Sequence, residues 1–356
     1  MSRHNIRVER RKEQKERPDD GKLGFGKHFT DHMFRMDYAD GKGWHDPRIV
    51  PYQPISLEPS AMVFHYGQAV FEGMKAYRSK GGAIHLFRPE RNFARFNVSS
   101  ERMCIPRLDE AFALEALTKL IGIDKDWTPS AENTALYIRP FVIATEAAIG
   151  VHPSLQYIFM IILSPVGPYY AEGLAPVTIF VEDEYVRAVR GGSGFAKASA
   201  NYAISMKSQE KAIKKGVAQV LWLDGVERKY VEEVGTMNVF FKINGSVVTP
   251  RLSDSILPGV TRASVIELLK SWDVEVAERR ISLEEVKKAA EDGTLEEAFG
   301  TGTASVIAPI RKFISGSDEM VVGDGKNYPM AGKLYDTITG IQYGRIEDNF
   351  GWVRKI

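Results

Sequence analysis

One lysine, Lys197, stands between a run of glycines and a segment with helical character. The stretch reads Arg190-Gly-Gly-Ser-Gly-Phe-Ala-Lys197-Ala-Ser-Ala-Asn-Tyr202. Glycines lack a Cβ atom and adopt backbone angles that other residues resist, so a ligand ring can lie close against such a turn. A primary amine in that place can condense with a carbonyl group. Because the chain contains 47 Lys and Arg residues, this stretch alone is weak evidence for a reactive lysine, and the prediction depends on the other motifs.

Two other turns are suited to hold an anion. The segment Ile256-Leu-Pro-Gly-Val-Thr-Arg262 opens a predicted helix, whose first N–H groups suit a phosphate. The segment Phe299-Gly-Thr-Gly-Thr-Ala304 offers N–H and hydroxyl groups in a second turn. A carboxylate, Glu233, ends a strand-like segment ahead of a further glycine turn. An amine, two anion-binding turns and a carboxylate together predict a site for a phosphorylated carbonyl cofactor, and pyridoxal phosphate requires these parts.

An arginine lies among aromatic residues in the strand-like segment Tyr137-Ile-Arg139-Pro-Phe141. The two-residue period of a strand places Tyr137, Arg139 and Phe141 on the same side. Arg139 can then face a pocket and hold a carboxylate with two hydrogen bonds. Alternatively the segment is an edge strand with Arg139 in solvent, and Pro140 favours an edge. Periodicity does not distinguish these two arrangements.

Two more arginines follow Pro89, which suits the first turn of a helix. Arg91 and Arg95 are four residues apart and share a face of that predicted helix. They either converge on an anion or form part of a solvated basic face.

The composition is that of a globular protein that handles small molecules. The 356 residues are 44% hydrophobic and 26% charged, and the formal net charge of +1 creates no field that favours nucleic acid. The single cysteine, Cys104, permits neither a disulfide framework nor a cysteine-rich metal site, so we expect no metal and a reducing cytoplasm. The longest apolar run in the middle of the chain, residues 157–163, is far too short to span a bilayer. We therefore expect no membrane partner.

The length and the mixture of strand and helix patterns predict an α+β (mixed α/β) protein of two domains. Residues 1–20 carry seven Lys or Arg and five Asp or Glu with almost nothing apolar, and we interpret them as a mobile arm. We predict a small α/β domain over 21–170, a linker over 171–181 and a large domain over 182–356 that carries Lys197. Within the large domain, the residues from Tyr202 to Lys215 are helix-like, and Ser282-Leu-Glu-Glu285 is a capping box that starts another helix.

Seven ordered motifs resemble those of the branched-chain amino acid aminotransferases, which are fold-type IV pyridoxal-phosphate enzymes, and the match extends from about Phe25 to the C-terminus. The motifs are Phe-Thr-Asp-His-Met at 29–33, His-Tyr-Gly-Gln-Ala-Val-Phe-Glu-Gly-Met-Lys at 65–75, Tyr-Ile-Arg-Pro at 137–140, Gln-Val-Leu-Trp-Leu at 219–223, Glu-Val-Gly-Thr-Met-Asn at 233–238, Leu-Pro-Gly-Val-Thr-Arg at 257–262 and Phe-Gly-Thr-Gly-Thr-Ala at 299–304. The resemblance implies a two-domain fold-type IV architecture with pyridoxal 5′-phosphate at the domain interface. It also implies reversible transamination of L-leucine, L-isoleucine and L-valine with 2-oxoglutarate by a ping-pong mechanism.

The resemblance also implies roles for individual residues. Lys197 would form the internal Schiff base and shuttle the proton between the substrate Cα and the cofactor. Glu233 would pair with the pyridine nitrogen, and Tyr202 would bind the phenolic oxygen of the cofactor. The remaining cofactor-binding positions, most of them around the phosphate, would be Arg95, Leu257, Gly259, Val260, Thr261 and Thr303. Arg91 has no counterpart in this set.

For the substrate, the resemblance implies apolar walls together with a cation for the side-chain carboxylate of glutamate. The walls would be Phe25, Phe71, Tyr137 and Tyr169, and Arg139, helped by Tyr66, would receive that carboxylate. Thr236 and the turn at Thr303 and Ala304 would bind the α-carboxylate. Tyr66 and the loop at 151–157, with Leu155 and Tyr157, would reach the site of a partner subunit, so the resemblance implies a homodimer.

Other functions remain open at this level. D-amino-acid aminotransferases and aminodeoxychorismate lyase share the fold, the lysine and the carboxylate, although Tyr137-Ile-Arg139 and Glu72-Gly-Met-Lys75 favour the branched-chain group. A nucleotide-binding sensor could use the same glycine turns but would need no reactive lysine. A cofactor-free lysine aldolase or decarboxylase would need the two anion-binding turns only for a phosphorylated substrate.

Overall fold

The computed structural model describes residues 5–168 and 174–356, and the chain divides into two compact units. The first unit comprises Met1–Tyr169, Ala196–Ala200 and Gly340–Ile356, and the second comprises Tyr170–Phe195 and Asn201–Thr339. The short segment that contains Lys197 therefore belongs to the first unit, although residues of the second unit surround it in sequence. None of the helices in the described residues is both long and apolar enough to cross a membrane.

Strands and helices alternate irregularly along the chain. The strands are β1 Arg7–Val8, β2 His32–Ala39, β3 Gly43–Pro51, β4 Ala69–Phe71, β5 Met74–Arg78, β6 Ile84–Phe87, β7 Ala135–Ala144, β8 Gln156–Val166, β9 Val177–Val181, β10 Gln219–Leu223, β11 Val231–Val234, β12 Met237–Ile243, β13 Ser246–Thr249, β14 Val276–Glu278, β15 Leu295–Gly302, β16 Val306–Ser315, β17 Asp318–Val321 and β18 Val353–Lys355. The α-helices are α1 Met62–Tyr66, α2 Pro89–Arg102, α3 Glu110–Ile123, α4 Ser199–Ala203, α5 Met206–Lys214, α6 Val260–Ser271, α7 Leu283–Glu291 and α8 Pro329–Gln342. Two short 3-10 helices span Asp20–Lys22 and Lys125–Trp127. Both helices and sheets are present in quantity, which confirms the mixed α+β class.

A nine-stranded sheet forms the frame of the first unit within the described residues, in the order β1-β3-β2-β8-β7-β5-β6-β18, with β4 also paired to β7. Its pairings are antiparallel except for the parallel pair of β1 and β3. Helix α2 begins at Pro89, as predicted, and α3 begins after Asp109, whose side chain accepts a hydrogen bond from the Phe112 N–H at 3.1 Å. Apolar side chains of α2 and α3 share one buried core with those of the sheet.

Strand β7 has the alternation that its sequence predicts. Ile138 and Val142 are fully buried in the core of the first unit, whereas Tyr137, Arg139 and Phe141 are half-buried on the opposite face. The strand lies between β8 on one side and β4 and β5 on the other, so the edge-strand alternative is wrong. Pro140 is accommodated because it lies opposite the break between β4 and β5, where its carbonyl accepts from the Glu72 N–H at 2.8 Å.

Residues 5–20 run along the first unit. Strand β1 pairs with β3, the Lys15 N–H donates to Asp31 Oδ1 at 2.8 Å, and Lys15 Nζ donates to the Thr30 carbonyl at 2.8 Å. In the part of this segment that the structure describes, charged side chains thus make specific hydrogen bonds.

A second nine-stranded sheet, counted over the described residues, forms the second unit in the order β11-β10-β9-β16-β15-β12-β13-β14, with β17 paired to β16. Because β11 also pairs with β12, the strands β9, β10, β11, β12, β15 and β16 close into a ring. Val239, Phe241, Ala298 and Ile310 are among the fully buried residues of its core.

Two local predictions for the second unit have different outcomes. The capping box is present, because Ser282 Oγ accepts from the Glu285 N–H at 3.0 Å ahead of α7. The single helix predicted over 202–215 is instead two helices, α4 and α5, separated at Ile204 and Ser205. Ser205 marks the break, since its hydroxyl donates to the Tyr202 carbonyl at 2.8 Å and so competes with helical backbone pairing.

Candidate functional site

The segment around Lys197 is extended and is bound to the first unit by its backbone. Ala198 forms an isolated β-bridge with Val70, and the Lys197 carbonyl accepts from the Phe71 N–H at 3.1 Å. The Lys197 N–H donates to Ser99 Oγ of α2 at 2.8 Å. Because Ala196 and Ala198 are both buried in the core, the alternation of an extended chain turns Lys197 to the other side. Its Nζ lies 4.9 Å from the centre of the Phe71 ring.

A fully buried carboxylate, Glu72, lies beside this lysine. The guanidinium group of Arg95, in α2, donates two hydrogen bonds to it, from Nε to Oε1 at 2.7 Å and from Nη2 to Oε2 at 2.9 Å. Asn92 Nδ2 and the Gly73 N–H also donate to Oε2, at 2.8 and 3.1 Å. Burial by itself would raise the pKa of Glu72, but the charge and hydrogen bonds of Arg95, with the charge of Lys197, lower the pKa below its ordinary value. Glu72 is therefore an ionised anchor for Arg95.

Arg91 does not join Arg95. It is exposed on α2, whereas Arg95 is buried. Of the two alternatives for this arginine pair, convergence on one anion is wrong, because the side chains lie in different environments.

The solvent-side face of β7 brings Arg139 against aromatic rings. The Arg139 guanidinium lies 4.7 Å from the centre of the Phe71 ring and 5.4 Å from that of Tyr137, and its Nη2 donates to Tyr137 Oη at 3.2 Å. Arg139 Nε is buried and donates no hydrogen bond to the residues that the structure describes. Phe25 packs edge-on against Tyr137, with ring centres 5.0 Å apart. This face can therefore hold an apolar group and still offers a donor to an anion.

Gly73 is required beneath this cluster. A Cβ atom at Gly73 would lie 2.1 Å from Tyr137 Oη, far inside van der Waals contact. Because glycine leaves this space open, the Tyr137 hydroxyl can lie directly over residue 73, just before β5.

The predicted residues near 66 and 151–157 fall into two environments. Tyr66 ends α1, and its hydroxyl donates to the Ile149 carbonyl, while Leu155 is exposed on the same unit. Tyr157 lies instead in the core, where its hydroxyl is bonded to Gln68 Nε2 at 3.0 Å and to the Cys104 carbonyl at 3.2 Å. Burial raises the pKa of Tyr157 to about 12. The structure therefore does not bring Tyr157 together with the other candidate substrate contacts.

In the second unit, Glu233 is a buried carboxylate at the end of β11. Its Oε1 accepts from the Leu257 N–H at 2.9 Å and from Asn238 Nδ2 at 3.2 Å. Its Oε2 lies 3.0 Å from Nε of Arg187. Asn238 also donates to the Leu257 carbonyl at 2.9 Å, so one amide joins β11 to the turn ahead of α6.

Gly259 ends that turn and is the N-cap of α6. A Cβ atom here would lie 2.0 Å from Asn238 Oδ1, so only glycine allows the contact. As a glycine, this N-cap residue has no side chain to cap the helix, and Val260 and buried Thr261 form its first turn. The N–H groups of a helix start attract an anion, as the sequence indicated.

The remaining candidates of the second unit lie on turns or helix ends. Thr303 and Ala304 are half-buried between β15 and β16, Thr236 is exposed between β11 and β12, and Tyr202 is half-buried on α4. Tyr169 lies outside the described residues.

Sequence reasoning missed three residues that hold the candidates in place. Glu72 and Asn238 both stand inside recognised motifs but had been assigned no role of their own, and Arg187 stands ahead of the glycine stretch. The available signal was a polar side chain next to apolar residues, in Ala69-Val-Phe-Glu72 and in Asn238-Val-Phe-Phe241. Nothing local marked Arg187.

Known proteins provide an independent comparison. Residues 69–313 match the family described as amino-transferase class IV. The chain is 58% identical over its full length to branched-chain-amino-acid aminotransferase 2 of Bacillus subtilis strain 168 and covers 98% of that protein. Its structure is similar to that of the branched-chain amino acid aminotransferase of Escherichia coli, with a TM-score of 0.74 and 26% identity over 91% of this chain and 98% of that one. The T.th. branched-chain amino acid aminotransferase, solved with pyridoxamine 5′-phosphate, is also similar, with a TM-score of 0.74 and 25% identity over 94% of this chain and 98% of that one.

We expect Gly259→Ala to lower the free energy of unfolding by about 1–3 kcal/mol, because the new methyl group must displace Asn238 in a packed site. Urea denaturation followed by fluorescence measures the change. Gly332→Ala in α8 is the matched control, since a Cβ there meets nothing within 4 Å and should leave stability unchanged or slightly raised. Equal midpoints for the two variants would contradict the packing argument.

Proposed function

The chain belongs to the amino-transferase class IV family, and from this premise we propose that it catalyses the reversible transamination of L-leucine, L-isoleucine and L-valine with 2-oxoglutarate. The products are branched-chain 2-oxo acids and L-glutamate. The observation that carries the proposal is the position of Arg139 on an aromatic face, with a buried Nε that has no acceptor among the described residues. One surface of this kind suits both an apolar side chain and a carboxylate.

The cofactor is pyridoxal 5′-phosphate, and the residues fit its parts. Lys197 offers an amine on a backbone that is fixed at three points, to Val70, Phe71 and Ser99. In the second unit, the uncapped start of α6 suits a phosphate, and buried Glu233 suits a protonated ring nitrogen. Bound, the cofactor supplies an electrophilic carbonyl carbon for the substrate amine and a ring that withdraws electrons from the substrate Cα.

We assign each of these residues a role in the reaction. Lys197 Nζ holds the cofactor and afterwards moves the proton to and from the substrate Cα, and its fixed backbone limits where the amine can reach. Glu233 would accept a hydrogen bond from the protonated ring nitrogen, because Leu257, Asn238 and Arg187 fix its carboxylate in a buried place. In this proposal the phosphate ligands are Arg95, which Glu72 orients, and the α6 start with Gly259, Val260 and Thr261, and Leu257 and Thr303 also contact the cofactor. Tyr202 binds the phenolic oxygen.

Substrate selection depends on an aromatic surface with a cation. Burying an unpaired carboxylate is costly, so apolar walls alone would exclude glutamate. Phe25, Phe71 and Tyr137 provide the walls, and Arg139 provides a fork for the side-chain carboxylate. Thr236, Thr303 and Ala304 bind the α-carboxylate.

The active form is a homodimer in this proposal. The first unit exposes a group of apolar side chains around Tyr66, with Ile149 72% and Val151 86% exposed and Phe64 and Leu155 also in solvent. An exposed apolar patch of this kind is typical of a protein interface. Through it, Tyr66 and Leu155 reach the site of the partner subunit.

We also place the enzyme in the cytoplasm. The single cysteine, Cys104, is a free thiol, and a chain without disulfides suits a reducing compartment. Recovery of the protein in a secreted fraction would contradict this assignment.

We expect Lys197→Ala to lower transamination by about a thousandfold or more, because it removes both the amine and the proton carrier. The melting temperature should stay unchanged, since the side chain leaves the core between two buried alanines. L-leucine turnover and a thermal melt measure these two quantities, and visible absorption with added pyridoxal 5′-phosphate tests whether the cofactor forms a Schiff base with the protein. Lys80→Ala, at an exposed turn, is the control, and turnover retained by the Lys197 variant would refute the assignment.

We expect Arg139→Ala to lower kcat/KM for 2-oxoglutarate by about 10- to 100-fold and to affect 4-methyl-2-oxopentanoate much less, because only the former has a second carboxylate. Arg139→Lys is the matched control, since lysine keeps the positive charge but lacks the planar guanidinium group that binds a carboxylate through two hydrogen bonds. Equal losses for both 2-oxo acids would show that Arg139 has only a structural role.

We expect the wild-type protein to sediment as a dimer and Val151→Asp to shift it toward monomer with loss of activity, because a carboxylate would be buried in the interface. Val226→Asp, a similarly exposed valine of the second unit, should leave the dimer intact. A fully active wild-type monomer would overturn the proposed assembly.

A further inference from the structure

Glu232 of β11 is a buried carboxylate to which the proposed reaction gives no role. It is only 8% exposed. The Ser255 hydroxyl donates to its Oε1, whereas its Oε2 is buried and accepts no hydrogen bond within the described part of the chain. The next residue, Glu233, has partners on both carboxylate oxygens. A buried carboxylate oxygen without a donor is costly, so a donor from outside the chain would stabilise Glu232.

Glu232 faces a cavity that is separate from the proposed cofactor position. Successive residues of a strand project to opposite faces, so Glu232 and Glu233 point to opposite sides of β11. Glu232 lines a cavity of about 80 Å³, and all of the lining residues belong to the second unit. One water molecule takes up roughly 30 Å³ of liquid, so this cavity has room for a small organic molecule and not for a nucleotide.

Two of the other charged side chains that line the cavity already have partners. Asp224 accepts hydrogen bonds from four backbone N–H groups of the turn 226–230. Arg280 donates from Nη2 to Glu227 Oε1 at 2.7 Å, and its guanidinium lies 3.4 Å from the centre of the Tyr230 ring. These two side chains therefore stabilise the wall of the cavity and are not available to a ligand.

The two remaining arginines of the lining, Arg190 and Arg251, are available. Both are exposed, and neither side chain makes a hydrogen bond or an ion pair with any residue that the structure describes. Exposed arginines without partners are common on protein surfaces. Here, however, they line the same small cavity as a buried carboxylate that lacks a donor.

The rest of the lining includes apolar groups. Val231 and Ile256 are buried, and Pro250 also contributes to the wall. The cavity thus combines one carboxylate oxygen, two guanidinium groups and an apolar surface that suits a short aliphatic side chain.

This combination disfavours ligands that carry a single sign of charge. An isolated anion would be repelled by Glu232, and an isolated cation would be repelled by Arg190 and Arg251. A metal ion would also lack ligands, since no group of three or more His, Cys, Asp or Glu in the described ranges could hold one. A zwitterion avoids both conflicts, because its cationic group can bind Glu232 while its carboxylate binds the arginines.

The electrostatics of Glu232 agree with a cationic partner. Burial raises the pKa of Glu232 above its ordinary value, and the Ser255 hydrogen bond and the nearby charge of Arg187 offset this effect only in part. An ammonium group next to Oε2 would oppose the effect of burial and favour the ionised carboxylate.

We propose that this cavity is a second binding site, which takes a small aliphatic α-amino acid as a zwitterion. The ammonium group binds Glu232 Oε2, the carboxylate binds Arg190 and Arg251, and the side chain lies against Val231 and Ile256. The site does not depend on the proposed transamination, because Glu232 and Glu233 face opposite sides of their strand.

The test measures binding of L-alanine to the holoenzyme by ligand-detected NMR. An excess of 4-methylpentanoate, which has no amino group to react with the cofactor, is present to occupy the substrate site. Acetate and methylammonium are the matched probes, since each carries only one of the two charged groups. L-alanine should bind saturably and at least about tenfold more tightly than either probe, because each probe forfeits one charged hydrogen-bonded contact.

Two variants identify the site. Glu232→Gln should weaken L-alanine binding about tenfold or more, because the amide can still accept from Ser255 but has no charge for the ammonium group. Arg251→Ala, at an exposed position, should weaken it about fivefold through loss of a contact to the carboxylate. Arg10→Ala, at an exposed position of the first unit, is the control and should leave binding unchanged.

Each alternative result would overturn the proposal. Absence of saturable L-alanine binding would mean that the cavity holds water only. Equal affinity of acetate or of methylammonium would indicate a simple anion or cation site. Equal L-alanine binding by the wild type and Arg251→Ala would place the ligand elsewhere, and this comparison remains valid even when Glu232→Gln fails to fold.

Discussion

The buried carboxylate of Glu72 is the constraint on which the first unit depends. An ion buried in a protein is stable only when nearly all its lone pairs have partners. Glu72 meets this condition through the fork of Arg95, the amide of Asn92 and the Gly73 N–H. These bonds fix helix α2 against the break between β4 and β5. At the same break, the Phe71 N–H donates to the Lys197 carbonyl, and Gly73 leaves room for the Tyr137 hydroxyl.

The second unit also contains a buried carboxylate that is held by several partners. Glu233 is buried at the end of β11, and a backbone N–H, an amide and a guanidinium group hold it from three directions. Arg187 also donates to the carbonyls of Gly194, at 3.3 Å, and Ser255. Gly194 has no room for a side chain, because a Cβ would lie 2.5 Å from the Ser255 backbone. One arginine therefore joins the carboxylate to the glycine loop ahead of Lys197, and the loop is ordered by packing and not only by glycine freedom.

The two faces of the first sheet differ in composition and in role. One face, with Ile138, Val142, Met74 and Ala76, is packed into the core and provides stability. The other face carries Tyr137, Arg139 and Phe141, and the Arg139 guanidinium lies against the rings of Phe71 and Tyr137.

The sequence by itself determined the features that depend on neighbours along the chain. The alternation of residues 137–141, the capping box at Ser282 and the helix start at Gly259 follow from local periodicity and from hydrogen bonds between residues close in sequence. Ordered motifs also sufficed to recognise the family and its cofactor. Tertiary structure alone decided that Pro140 lies inside a sheet, that Tyr157 is a core residue, and that Lys197 is bonded to Ser99 from 98 residues away. It likewise decided that Arg187 meets Glu233. The physical reason is that such contacts depend on which strands and helices become neighbours, and local propensities do not contain that information.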